Sequence, residues 1–140
     1  MIEEIAQGLA GALVGAFGSE YAVFIQDIKQ GLTRPCFFVE VGKVELEPLL
    51  GLRYLMTVPL VLHYFPRDPG NNAEMWDAAS KMGQAVRFIR LPDGSLLHSA
   101  PPYWEITDDT LHFAIAYTLP LREEQAFTLM ETLSLDSGVS

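Results

Sequence analysis

The sequence predicts an α+β fold, a single domain with a mainly antiparallel or mixed β-sheet packed against two α-helices. Three observations carry that prediction. Apolar residues recur at spacings of three and four near the N-terminus and again after residue 72, the period of a helix with one buried face. The stretches 36–46, 52–65 and 110–119 are rich in β-branched and aromatic residues, and the last alternates strictly between two faces. Turn signals at Pro92-Asp93-Gly94 and at Asp108-Asp109 each lie between two strand-like segments, as in hairpins.

Taken in order, residues 2–16 form the first helix, with Ile2, Ile5, Leu9, Leu13 and Phe17 along one side. Gly8, Gly11 and Gly15 each cost such a helix about 1 kcal/mol relative to alanine. Three glycines in one helix imply that something packs very close, either the sheet or another subunit. Gly18-Ser19 ends the helix, and Tyr21–Ile25 reads as a first short strand. Gln30–Pro35 is a connector, in which Gly31 permits a turn and Pro35 biases Arg34 toward extended backbone. Cys36–Leu46 is strand-like, with Phe37, Val39 and Val41 alternating against Cys36, Phe38 and Glu40. Leu52–Phe65 is a second, longer extended segment. Pro59 inside it has no N–H to give a ladder, which points to a sheet edge or a bulge. An interrupted edge is a place where another subunit's strand can dock.

Pro66–Asn72 is a loop by composition. Asn71 followed by Glu74 resembles a capping box, with Asn in place of Ser or Thr. Met75, Ala79, Met82 and Val86 make the apolar stripe of a second helix over residues 72–87. The turn at Pro92–Gly94 joins Val86–Leu91 to Ser95–His98, and Asp108-Asp109 joins Tyr103–Thr107 to Thr110–Leu119. In the last strand Leu111, Phe113, Ile115, Tyr117 and Leu119 share one face, and Thr110, His112, Ala114, Ala116 and Thr118 the other. Residues 122–133 read either as a short helix or as a docked tail. Asp136–Ser140 has little to bury and is expected to be disordered. No internal repeat, linker or second domain shows in the sequence.

At 140 residues, 49% apolar and 19% charged, the chain is sized for one soluble domain with a core of its own. No window approaches the roughly 18–20 apolar residues that cross a bilayer. The apolar stretch Leu9–Phe17 is short, holds two glycines and follows Glu3 and Glu4 where a signal peptide carries Lys or Arg. A cytoplasmic protein is therefore expected, and a single cysteine, Cys36, is consistent with that. The net charge is −9, and the segment 101–140 holds seven acidic residues against one basic, Arg122. Such a field repels a phosphate backbone, so no specific nucleic-acid binding is expected. Solubility is its plainest use.

Catalytic patterns are missing. His63, His98, His112 and Cys36 lie in separate extended segments without metal-ligand spacing, so no metal site is expected. Cys36, beside Pro35 and two phenylalanines, reads as a small buried hydrophobe. There is no Gly-x-Ser-x-Gly elbow, no glycine-rich phosphate loop and no activating neighbour for any serine. The carboxylate pairs Glu3-Glu4, Asp108-Asp109 and Glu123-Glu124 are adjacent in sequence and so point to different sides, as solvated caps and turns do. Phe65, Trp76, Tyr103 and Trp104 lack the basic surroundings of a base-stacking platform and read as core or protein interface. The sequence therefore predicts no enzyme, no catalytic residue and no cofactor.

The short signatures that remain are Phe17-Gly18 with Tyr21, Gln30-Gly31-Leu32, Pro35-Cys36-Phe37-Phe38, Arg53-Tyr54, His63-Tyr64-Phe65-Pro66, Asp93-Gly94 and Leu111-His112-Phe113. In this order and spacing they resemble the small phage tail terminator family of Gram-positive phages and prophages, from the first helix to about Leu119. The late Met130-Glu131-Thr132-Leu133 fits the charged tail of that family. Pro59 and the glycine-rich first helix depart from its usual pattern. The family has no established catalytic residues to carry over.

The resemblance implies a structural job. Tail terminators form a ring, commonly a hexamer, on the last ring of the tail tube, stop its growth and face the head-side connector. The implied partners are further copies of the chain, the tail tube protein and the head–tail connector protein, and the implied location is the host cytoplasm during assembly and then the virion. On this basis Gly8, Gly11, Gly15 and Pro59 are candidate subunit-interface residues. Arg67, Asp68 and Asn71 of the 66–72 loop are candidate end-face contacts. Other readings are another neck or tail-completion protein, such as a head-closure protein, and, from a different class, a small-molecule-binding domain or a metal-dependent enzyme.

Overall fold

The computed structural model describes residues 2–25 and 34–128. Most of the Gln30–Pro35 connector, the Met130–Leu133 signature, residues 129–133 of the expected helix or tail and the C-terminal Asp136–Ser140 lie outside the described residues. The element order is α1 (Ile2–Phe17), β1 (Ala22–Ile25), β2 (Cys36–Val41), β3 (Glu45–Leu49), β4 (Arg53–Phe65), α2 (Asn72–Ala85), β5 (Phe88–Arg90), β6 (Leu96–His98), β7 (Tyr103–Thr107) and β8 (Thr110–Arg122). A short helical segment over residues 123–128, here α3, follows β8.

Six strands form one sheet in the order β1-β2-β4-β8-β7, with β3 also paired to β4, and β5–β6 make a separate hairpin. Among the described strands only β1 and β2 run parallel; the other pairs are antiparallel. This is a mixed sheet with helices on one face, the α+β class that the periodicities predict. The backbone of the sheet is the β4–β8 ladder, continuous from Arg53↔Arg122 to Tyr64↔Leu111.

One expected strand divides in two. The segment 36–46 breaks after Val41, and both halves pair with β4, β2 against Leu60–Phe65 and β3 against Arg53–Thr57. The cause sits opposite the break. In an antiparallel ladder the N–H and C=O of one residue point the same way. The Pro59 carbonyl accepts the Gly42 N–H at 2.8 Å, so the missing N–H of Pro59 faces the gap between β2 and β3. Pro59 is therefore at a local interruption of the ladder, inside a central strand. It is not at a sheet edge, and its other side pairs with Ala116.

The core lies between the sheet and the helices. Met56, Val58, Leu60, Leu62 and Tyr64 of β4 alternate inward with Leu111, Phe113, Ile115 and Tyr117 of β8. Against them pack Ile5, Leu9 and Leu13 of α1 and Met75, Ala79 and Met82 of α2. Each such burial is worth about 1.5–3 kcal/mol. The Tyr117 hydroxyl, deep in this layer, donates to the Val86 carbonyl at 2.5 Å, tying the end of α2 to β8. Burial raises its pKa far above the ordinary phenol value, so this donor keeps its proton. The hairpin β5–β6 closes the layer beside α1, with Ile89 buried and Ser99 bridging to Tyr117.

Candidate functional site

The α1 glycines divide between two environments. A Cβ on Gly8 would come within 3.0 Å of the Arg90 carbonyl oxygen, so the close approach there is made by β5 of the same chain. At Gly11 and Gly15 a Cβ would meet nothing within 4 Å, and both residues are exposed. Gly8 and Gly11, with Glu4 and Ala12, form the helical wall of a groove of about 540 Å³ whose other wall is Phe88, Ile89 and Arg90 of β5. Pro59 is half-buried and distant in sequence from that groove.

The 66–72 loop is held by one carboxylate. Asn71 caps α2 by accepting the Glu74 N–H on its side-chain oxygen at 3.1 Å. Glu74 does not complete a capping box with the Asn71 N–H, which donates to the Asp68 carbonyl instead. Its carboxylate accepts from the Tyr64 hydroxyl at 2.6 Å, the Arg67 N–H at 2.7 Å and the Asp68 N–H at 3.2 Å. Burial works to raise the Glu74 pKa, but these donors and the Arg67 charge outweigh it and lower the value. Burial, then the hydrogen bond to Glu74, raises the Tyr64 pKa far above its ordinary value. The side chains of Arg67 and Asp68 are thereby left exposed on a fixed backbone.

The histidines do not share one site. His98 packs on Phe88 in the β5–β6 hairpin, ring centroids 4.8 Å apart. His63 and His112 meet on the sheet face away from the helices, in register on β4 and β8, with centroids 4.8 Å apart. They belong to a row running across five strands, Phe24, Phe38, His63, His112 and Glu105. No described helix covers this face. His63 Nε2 is buried without a hydrogen-bond partner, with Glu40 Oε1 3.5 Å away. Burial lowers the His63 pKa, the neighbouring His112 lowers it further, and Glu40 offsets part of the shift. Among the described residues no three His, Cys, Asp or Glu side chains gather as a metal site.

The remaining candidates scatter. Cys36 is fully buried, and desolvation raises its thiol pKa against the pull of the Arg34 charge. Asp108 and Asp109 form the two-residue β7–β8 turn, both with positive φ, at 53° and 58°. Trp76 lies exposed on α2, Tyr103 and Trp104 point to opposite faces of β7, and Phe65 carries the Arg34 guanidinium 5.7 Å from its ring centre. None of these four rings stacks on another. No helix among the described residues is long and apolar enough to cross a membrane.

One surface escaped the sequence reading. The tip of the β3–β4 hairpin, Leu49-Leu50-Gly51-Leu52, carries three exposed leucines. The signal for it is an apolar turn, in a place where Asn, Asp or Ser is the rule.

The surfaces that stand out among the described residues are thus a groove, an apolar tip, a fixed polar loop and a sheet face that no described helix covers. No curated protein matches the sequence. A family model described as "Phage tail terminator protein" does match, over residues 4–128, so nearly all of the chain is accounted for by one family. The chain belongs to the phage tail terminator family and is a structural protein of the phage tail.

Proposed function

We propose that this protein ends the tail tube. Copies of it close into a ring, hexameric as the resemblance implies, on the last ring of tube protein. The ring blocks further addition of tube protein and offers its opposite side to the head-side connector. It assembles in the host cytoplasm and is then carried in the virion. The observation that carries this reading is the family match over residues 4–128.

The geometry supports it in kind. A closed ring of identical chains needs two different, complementary patches on each copy, and two end faces that meet different partners. The exposed features described above lie on separate elements, as that requirement demands. The loop bearing Arg67, Asp68 and Asn71 supplies an end-face contact whose backbone is set in advance by Glu74. The acidic excess of residues 101–140 suits a passage through which DNA moves without adhering.

The test is electron microscopy of particles from a host in which this gene is deleted. Overlong, headless tails are the expected result. Tails of normal length without heads would assign the protein to joining rather than to length control, and fully infectious particles would remove it from the tail's essential parts.

A further inference from the structure

The tip of the β3–β4 hairpin is an apolar projection built at a cost. Leu50 is 97% exposed and Leu52 73%, with Leu49 beside them. Leu52 holds a φ of 45°, a left-handed conformation that side-chain-bearing residues avoid. Its carbonyl accepts the Glu123 N–H at 2.8 Å, which braces the tip against the start of α3. The hairpin turn itself calls for the positive φ at Gly51 and Leu52; that leucines rather than Asn, Asp or Gly stand there in water has no explanation within one copy of the chain.

The α1–β5 groove is its counterpart. Its volume of about 540 Å³ admits two leucine side chains, and Gly11 leaves its mouth open. Charge complements shape. Glu4 stands on the helical wall of the groove and Arg90 on the strand wall, both exposed. At the tip, exposed Glu47 lies on the β3 side, and exposed Arg53 lies on the β4 side, flanked by Arg122, Glu123 and Glu124 of β8 and α3. Seating the tip with β3 toward the strand wall sets Glu47 toward Arg90 and Arg53 toward Glu4. The reverse orientation opposes like charges.

We infer that the β3–β4 tip of one copy seats in the α1–β5 groove of the next. This rests on the ring reading above and names its subunit contact. Because tip and groove are different patches, the contact is heterologous and repeats from copy to copy until the ring closes. It also gives exposed Gly11 a use that the monomer lacks. Gly15 lies outside the groove and takes no part.

The test uses the purified full-length chain. Sedimentation should show self-association of the wild type. Leu50→Asp should weaken it about ten- to a hundredfold, the loss expected for one buried leucine. Gly11→Phe, which fills the groove from the other side, should do the same. Both substituted positions are exposed, so unchanged thermal unfolding of the variants controls for folding. Leu50→Cys and Gly11→Cys proteins, mixed and oxidised, should yield a mixed disulfide dimer, and buried Cys36 does not compete.

Wild-type assembly that persists in Leu50→Asp, or a mixture that does not cross-link, overturns this contact while the ring reading stands. A Leu50→Asp protein that still self-associates but no longer binds isolated tail tubes overturns it too, and gives the tip to the tube protein. The ring reading itself is decided separately, by the tail lengths of the gene deletion.

Discussion

At Gly8 the first helix touches backbone, with the Arg90 carbonyl 3.0 Å from where a Cβ would stand, whereas Gly15 faces open space. The same substitution should therefore act in opposite directions. Gly8→Ala forces α1 from β5 and should destabilise the monomer by about 1–3 kcal/mol, the usual cost of overpacking. Gly15→Ala should stabilise it by up to about 1 kcal/mol through helix propensity alone. Chemical denaturation of the two variants reads both signs, and loss of self-association in Gly15→Ala would return that residue to the subunit interface. Glu74 gives a second test. Its pKa is lower folded than unfolded, so its contribution is complete above the unfolded value and is lost as pH falls through the folded one. Glu74→Gln should cost about 1–3 kcal/mol at neutral pH, because the amide cannot satisfy all three donors. The gap between variant and wild type should narrow on acidification, and a gap independent of pH would mean that the carboxylate's charge does not matter there.

Among the elements, the break between β2 and β3 shows what a linear pattern conceals. Periodicity located α1, α2 and the two faces of β8, because each of these buries one side of a regular element. It could not divide the segment 36–46, since a lone glycine in a strand pattern does not say what stands across from it. The reason lies seventeen residues later, in Pro59, whose missing donor faces Gly42. Proline in a strand suggested an edge or a bulge, and the strand is central because the neighbouring ladder parts around it. A Cβ on Gly42 would stand 3.2 Å from Pro59 Cγ. Gly42→Val should therefore lower stability by about 1–3 kcal/mol, measured by denaturant midpoint. Pairing it with Pro59→Ala should recover part of the loss by removing the opposing ring atoms, and additive losses would show that the two positions do not meet.

For the molecule as a whole, the short motifs carried the family and the periodicities the fold class, while the surfaces proposed for assembly were largely illegible. Leu49–Leu52 reads as more core until its exposure is known, and the α1 groove exists only once β5 lies against the helix. His63 and His112 stand 49 positions apart in sequence and meet only through the register of β4 and β8. That ladder carries a further consequence, for the order of events at the ribosome. Strand β4 is complete at Phe65, yet its long partner β8 begins at Thr110. Everything between the two must emerge before the centre of the sheet can zip. The central ladder thus joins residues far apart in the chain, and such non-local pairing is slow to form. Until then one flank of β4 stays open. A premature stop between β4 and β8 does more than shorten the protein: it releases a fragment whose central strand is open along one flank, suited to aggregation.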